Sequence, residues 1–150
     1  MKKIFRIILI ASAMLMLTAC EGEPILDKST GLIWESQSHK SMIFLKAKEH
    51  CEKLTEGDFN NWRLPTISEL NSVRGNKTIF KNIRELMGVY WSSQINVKKE
   101  QVFVTSVISI EDLRKIPLLN MGTFNKGGSL QNIKHKAKVR CVSRNTEELI

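Results

Sequence analysis

Three cysteines are the residues of this 150-residue chain whose side chains could form covalent bonds, and their positions differ sharply. Cys20 follows an apolar run and precedes acidic residues, whereas Cys51 and Cys141 lie far apart in the rest of the chain. A cysteine thiol can be acylated, oxidised to a disulfide, or used as a metal ligand or a nucleophile. Because disulfides consume cysteines in pairs, one of the three must serve another purpose.

The segment before Cys20 has the three parts of a secretory signal. The chain begins with the cations Lys2, Lys3 and Arg6, continues as an apolar run over residues 7–17, and ends with small residues beside Cys20. The run is shorter than the roughly 20 apolar residues that a membrane-spanning helix needs. We therefore predict a cleaved signal peptide over residues 1–19.

The four residues Leu17-Thr18-Ala19-Cys20 resemble the lipobox of bacterial lipoproteins. The resemblance implies that Cys20 is acylated on its sulfur, becomes the first residue after cleavage, and attaches a tether over residues 20–24 to a lipid bilayer. Two or three acyl chains make a lasting anchor, since each buried CH2 group contributes about 0.8 kcal/mol. Glu21 stands where an aspartate would favour the inner membrane, so the expected location is the bacterial cell envelope, at the outer membrane.

Once Cys20 is lipidated, Cys51 and Cys141 remain as an even pair. In an exported protein such a pair most simply forms a disulfide. Two buried free thiols are the alternative that the residues leave open. A bond between them would close a long loop, for which the chain-entropy model gives roughly 4 to 5 kcal/mol of stabilisation.

A row of cations near the end of the chain has the pattern of a binding surface. If residues 134–141 form a strand, alternate side chains share one face and make a stripe about 20 Å long. Two alternatives stay open, because lysines also protect strand edges from aggregation and Arg140 can instead pair with a buried carboxylate. The stripe would consist of Lys134, Lys136, Lys138 and Arg140, extended by Lys126 and Arg144.

The charge of the chain narrows the choice of partner. The formal net charge is +8, and loss of the signal peptide leaves a moderately basic protein. Such a protein suits anionic glycans, lipid head groups or an acidic protein surface. We expect no nucleic-acid partner, because an exported protein does not meet cytoplasmic nucleic acid.

The sequence lacks the patterns that indicate catalysis or metal binding. His39, His50 and His135 show no metal-ligand spacing, and no serine lies in a nucleophile elbow. The adjacent acids Glu111 and Asp112 are interpreted as a solvated turn rather than a calcium site. We therefore predict a non-catalytic protein with neither a cofactor nor a metal.

Hydrophobic periodicity and capping signals predict an α+β fold. Ser41 is expected to cap a first helix that points Cys51 inward and ends near Gly57. Thr66 and Glu69 form a capping box for a second helix that reaches about residue 74. Three tryptophans are expected in the core, at positions 34, 62 and 91. The other predicted elements are a hairpin over residues 25–34, a short helix over 82–87, strands over 89–93, 101–110 and 136–143, and a loop over 120–129.

Several motifs together resemble the collagen-like adhesin C-terminal domain family, abbreviated Lcl-C. The block Trp62-Arg63-Leu64-Pro65-Thr66 followed by Tyr90-Trp91-Ser92-Ser93 is specific to that family, and segments 27–34, 47–51 and 139–142 also match. The resemblance covers residues 25–144 and leaves 145–150 as a C-terminal tail. It implies a fold similar to C-type lectins and formylglycine-generating enzymes, with two helices on small antiparallel sheets. It also implies adjacent first and last strands and a disulfide between Cys51 and Cys141.

Some members of that family are surface modules that bind sulfated glycans. We therefore expect a non-catalytic, envelope-anchored binding module for anionic or sulfated glycans or another envelope polymer. The alternative is a protein-interaction accessory or inhibitor lipoprotein of an envelope assembly. An enzyme of the formylglycine-synthase type would need a reactive thiol, and the predicted lipid and disulfide leave none.

Overall fold

The first two strands form the hairpin predicted for residues 25–34. In the computed structural model, which describes residues 22–109, 111–112 and 129–144, β1 (Ile25–Asp27) pairs antiparallel with β2 (Leu32–Trp34). The Asp27 carboxylate organises the turn by accepting hydrogen bonds from the hydroxyls of Ser29 and Thr30 at 2.7 and 2.6 Å. Gly31 completes the turn with a φ of +68°, which glycine adopts at little steric cost.

Several predicted features lie outside the described residues and stay predictions. They are the signal peptide over residues 1–19, the lipidated Cys20, Lys126, most of the loop over residues 120–129, and the C-terminal tail over residues 145–150.

The strands of the described residues form two sheets. The larger sheet contains β3 (His39–Met42), β4 (Val89–Asn96), β5 (Gln101–Ser106), β6 (Ser129–Asn132) and β7 (Ala137–Val139), in the order β3–β7–β4–β5–β6. The smaller sheet adds β8 (Val142–Arg144) to the hairpin, in the order β1–β2–β8. Neighbouring strands are antiparallel except β4 and β7, which are parallel. The first and last of the described strands share this sheet but are not adjacent as the family resemblance implied, because β2 lies between β1 and β8.

Three helices accompany the sheets within the described residues, which confirms the predicted α+β class. Their bounds are Phe44–Lys53 for α1, Ile67–Ser72 for α2 and Ile83–Leu86 for α3. α1 buries Phe44, Ala47 and Cys51, the face that the periodicity predicts. No helix in the described part of the chain is both long enough and apolar enough to cross a membrane.

The predicted ends of the first helix are wrong at both termini. Ser41 belongs to β3, and Ile43 occupies the N-cap position of α1 without a side-chain hydrogen bond. The chain leaves the helix at Leu54. Gly57 instead lies in the following turn with a φ of +62°. Ser41 therefore belongs to a paired strand, although local capping preferences favour it at the start of the helix.

The capping box predicted for the second helix is confirmed. The Thr66 hydroxyl accepts a hydrogen bond from the Glu69 amide at 3.2 Å, and the Glu69 carboxylate accepts one from the Thr66 amide at 2.7 Å. Arg63 donates two further hydrogen bonds to the Glu69 carboxylate, at 2.9 and 2.7 Å. Burial raises the pKa of Glu69, but these bonds outweigh burial and leave the pKa below its usual value. α2 ends at Ser72, a little before the predicted end.

The closing strand predicted over residues 136–143 is two strands in different sheets. The chain leaves β7 in the larger sheet, passes through Arg140 and Cys141, and enters β8 in the smaller one. All residues from Val139 to Ser143 are buried along this crossing. Strand alternation consequently holds only along β7, where Lys138 is partly exposed between two buried neighbours.

A disulfide joins Cys51 of α1 to Cys141 at the crossing, with a Cα–Cα distance of 5.5 Å. This confirms the predicted pairing and excludes two free thiols. Both cysteines are buried in the same hydrophobic cluster. Trp62 and Trp91 lie in that cluster and Trp34 in a second one, so all three tryptophans belong to the core as predicted.

We predict that replacing both Cys51 and Cys141 by alanine lowers the free energy of unfolding by about 4 kcal/mol, because the bond restricts the unfolded chain over a long loop. Urea denaturation of the wild type and the double variant measures the difference. Reductant serves as the control, since it should bring the wild type to the stability of the variant and leave the variant unchanged. Equal stability of the variant and the oxidised wild type would contradict the prediction.

Candidate ligand-binding surface

The turn between β6 and β7 presents the first two cations of the predicted stripe. Asn132 shapes this turn, because its side chain accepts a hydrogen bond from the Lys134 amide at 2.9 Å and its carbonyl accepts one from the His135 amide at 2.9 Å. Asparagine at the first position favours such turns. Lys134 and Lys136 are therefore exposed on a turn and its exit, not along a strand.

A shallow groove of about 540 Å³ adjoins this turn. Val89, Trp91 and Ala137 contribute its apolar part, while Lys134 and Lys136 contribute the charged part. The Trp91 indole donates a hydrogen bond to the Met42 carbonyl at 2.7 Å and is fully buried, so its ring is not available for stacking on a sugar. The groove thus combines a small apolar surface with the exposed side chains of Lys134 and Lys136.

A second turn adds cations that the sequence did not indicate as part of this surface. The Ile133 amide donates a hydrogen bond to the Glu100 carbonyl at 3.2 Å, which holds the β4–β5 connection against the β6–β7 turn. Lys98 and Lys99 lie in that connection and are exposed. We define the basic surface as Lys98, Lys99, Lys134 and Lys136. The pairing of β5 with β6 brings the two turns together.

Lys138 lies on the neighbouring strand but is engaged by the fold. Its ammonium group donates a hydrogen bond of 2.6 Å to the carbonyl of Arg84 in α3. A lysine at the end of a helix satisfies a carbonyl that has no partner within the helix. Among the residues that the structure describes, Lys138 therefore has a structural contact that Lys134 and Lys136 lack.

The prediction that Arg140 belongs to the exposed stripe is wrong. Its side chain is fully buried at the crossing between the sheets. The guanidinium donates hydrogen bonds to the Ser38 hydroxyl at 3.0 Å and the Ile79 carbonyl at 2.6 Å, and lies 3.6 Å from the Glu85 carboxylate. It also sits 5.3 Å from the centre of the Phe80 ring. The alternative of a structural arginine paired with a carboxylate is the one the structure shows.

Arg144 does not extend the stripe either. It is exposed, but it belongs to β8 and pairs with Leu32 in the smaller sheet, whereas the basic surface is on the larger sheet. The predicted stripe therefore loses Arg140, which is buried at the crossing, and Arg144, which lies on the other sheet.

A second cluster, around Glu35, was missed because its members come from separate elements. Glu35 follows β2, His39 begins β3, and His50 lies in the last turn of α1. The Nε2 atoms of both histidines lie within hydrogen-bond distance of the same Glu35 oxygen, at 2.6 and 3.1 Å. Glu35 is fully buried, and its other oxygen accepts a hydrogen bond from the Cys141 amide at 2.9 Å.

The surroundings of Glu35 keep it charged although it is buried. Burial raises the pKa of Glu35, but hydrogen bonds from His39, the Cys141 amide and His50 outweigh burial and lower the pKa overall. The same hydrogen bond to Glu35 raises the pKa of His39 above its usual value. A buried anion is thus held between two imidazoles near the disulfide.

We predict that Arg140→Met lowers the free energy of unfolding by about 3 kcal/mol, because it leaves buried partners such as the Ile79 carbonyl without their donor. Arg144→Met is the matched control, since it removes an exposed guanidinium and should change stability by less than about 0.5 kcal/mol. Urea denaturation compares the two variants. Equal effects would mean that the buried guanidinium contributes no more than the exposed one.

Residues 23–143, most of the chain, match the family model of the Lcl C-terminal domain. The matched segment contains the disulfide, the cluster around Glu35 and all four lysines of the basic surface. A search of curated proteins found no match. The resemblance predicted from the motifs is confirmed, and the chain belongs to the Lcl C-terminal domain family.

Proposed function

We propose that this chain is a lipid-anchored, non-catalytic module of the bacterial cell envelope that binds an anionic polymer, such as a sulfated glycan, through the basic surface. The family membership supports an adhesin-like or envelope-associated role. The C-type-lectin-like architecture expected for the family agrees with a small α+β fold whose first and last strands share a sheet.

The observation that carries the proposal is the unneutralised charge of Lys134 and Lys136 among the described residues. Within the described residues, Lys134 and Lys136 have no carboxylate partner. The lysines of α1 differ, since Lys46 and Lys53 pair with Glu49 at 3.0 and 2.7 Å. Cations without local counter-charges produce a positive potential that attracts an anionic partner. The location of the free cations thus favours the β6–β7 turn over α1 as the binding surface.

The proposed anchor rests on the sequence around Cys20. The basic start, the apolar run and the Leu17-Thr18-Ala19-Cys20 match together support acylation at Cys20. Acylation on more than one site gives stable attachment to a bilayer, whereas a single chain gives only marginal binding. The short tether over residues 20–24 then holds the domain close to the outer membrane.

The absence of catalysis is also a proposal, supported by the state of the sulfurs. Cys51 and Cys141 are bonded to each other and fully buried, so neither presents a thiolate. Acylation would consume Cys20. A cysteine-dependent reaction of the formylglycine-synthase type then has no available nucleophile.

A protein-interaction role is the second candidate, and one observation favours it. An apolar groove of about 370 Å³ lies beside α1 and is lined in part by Phe44, Leu45, Leu64 and Ile95. Leu45 is 62% exposed and Ile95 is 46% exposed, so apolar surface faces solvent there. The partner expected at this groove is a protein segment with aliphatic side chains. The lysine variants described below separate this role from binding of an anionic polymer.

We predict that the mature protein begins at Cys20 and carries a diacylglyceryl group on the sulfur. Mass spectrometry of the N-terminal peptide of membrane-extracted protein should show the added mass of the lipid. The Cys20→Ser variant is the control, because it cannot be acylated and should stay unprocessed. An unmodified Cys20 in the wild type would remove the anchor from the proposal.

We also predict that Lys134→Ser/Lys136→Ser weakens retention of the detergent-solubilised full chain on heparin. The NaCl concentration needed for elution should fall by roughly 100 mM, since salt in this range screens charges beyond about 10 Å. Adding Lys98→Ser/Lys99→Ser should lower it further, because these lysines lie on the neighbouring turn.

The matched control for this experiment is Lys28→Ser/Lys81→Ser. Both lysines are exposed and lie outside the basic surface, and their replacement removes the same charge. The control should elute close to the wild type. If both double variants shift equally, retention reflects net charge alone. If neither shifts, the basic surface is not the binding site and the apolar groove becomes the candidate.

A further inference from the structure

Three potential metal ligands converge at the corner formed by β2, β3 and α1. The Nε2 atoms of His39 and His50 lie 2.6 and 3.1 Å from one Glu35 carboxylate oxygen. The two imidazole rings are 4.1 Å apart between their centres. Two imidazoles and one carboxylate are a ligand set that suits zinc. The spacing of these residues along the chain does not indicate this ligand set, because only the folded structure brings the three side chains together.

The carboxylate at the centre of the cluster is held rigidly. The Glu35 amide donates a hydrogen bond to the Cys141 carbonyl at 3.0 Å, and the Cys141 amide donates one to the second Glu35 oxygen at 2.9 Å. The disulfide fixes Cys51, the neighbour of His50, against the same segment. Such support orients metal ligands and improves metal affinity.

We propose that Glu35, His39 and His50 form a zinc-binding site. Zinc bonds to nitrogen and oxygen are about 2.0 to 2.2 Å long, so tetrahedral ligand atoms lie about 3.4 Å apart. The two Nε2 atoms lie 2.6 and 3.1 Å from the Glu35 oxygen, so admitting the ion lengthens each of these two separations by less than about 1 Å. The Cys141 sulfur lies within 4.8 Å of the Glu35 and His50 ligand atoms, but its bond to Cys51 prevents it from acting as a thiolate ligand.

Solvent reaches the histidine side of the cluster. The side chains of His39 and His50 are 32% and 25% exposed, whereas Glu35 is fully buried. A groove of about 440 Å³ adjoins His50. Three protein ligands with an open position are the arrangement in which zinc retains a water molecule.

The local charges favour a divalent cation. Glu35 supplies one buried negative charge, and Glu56, which accepts a hydrogen bond from the Ser36 amide at 2.9 Å, supplies a second. The negative charge of Glu56 helps to raise the pKa of His39, which shows that Glu56 contributes to the potential at the cluster. Arg140 opposes binding, but Glu85 lies 3.6 Å from its guanidinium and offsets that charge. Two carboxylates can thus balance the charge of a bound zinc ion.

Zinc titration of the metal-free full chain in detergent, in competition with a chromogenic chelator, tests the site. We expect roughly one zinc ion per chain, and His39→Gln and His50→Gln should each weaken binding by at least tenfold, since loss even of an outer-shell partner costs about 10- to 100-fold. His135→Gln is the matched control. His135 is exposed and lies outside the cluster, so its replacement should leave the affinity unchanged.

An experiment on the wild type covers the case in which a variant fails to fold. Imidazole NMR signals of the three histidines are recorded with and without one equivalent of zinc chloride. The signals of His39 and His50 should shift while that of His135 stays in place. The proposal is overturned if zinc shifts only the signal of His135 or shifts no histidine signal. It is also overturned if the folded His39→Gln and His50→Gln variants bind zinc with the affinity of the wild type.

Discussion

The crossing of the chain from the larger to the smaller sheet, held by the Cys51–Cys141 disulfide, is the constraint on which the rest of the structure depends. At this point α1, the end of β7 and the start of β8 meet. Two hydrogen bonds join Glu35 to the backbone of Cys141, and two more join Arg63 to Val142. The covalent bond therefore reinforces a place where hydrogen bonds already join the crossing to the segments around Glu35 and Arg63.

This crossing also decides which cations are available to a ligand. Arg140 enters the interior with the crossing segment, and its planar guanidinium satisfies several partners at once, which a lysine cannot do in the same way. Lys134 and Lys136 precede the crossing and stay in solvent. The same run of basic residues is thus divided between stabilising the core and forming a positive surface.

The structure holds two regions of opposite electrostatic character. The basic surface lies on exposed turns, where single contacts are weak and sensitive to salt, so it suits a long polymer that makes many of them. The Glu35 cluster is anionic and mostly buried, where a charge interacts strongly with few partners. In these proposals a polyanion and a metal cation therefore bind to separate parts of the domain. The polyanion makes many weak contacts in solvent, and the cation makes few strong contacts in the buried cluster.

The sequence by itself determined the hairpin at Asp27, the capping box at Thr66 and Glu69 and the burial of the tryptophans, and together with the family resemblance it indicated the pairing of Cys51 with Cys141. These features depend on local hydrogen bonding, on the preference of apolar groups for the core, or on the even number of cysteines that remains when Cys20 is set aside. Tertiary structure alone decided that Ser41 is in a strand, that Arg140 is buried, and that His39 and His50 share one carboxylate oxygen. Each of these results depends on residues distant in the chain, because sheet pairing and the crossing between sheets override the period of a local pattern.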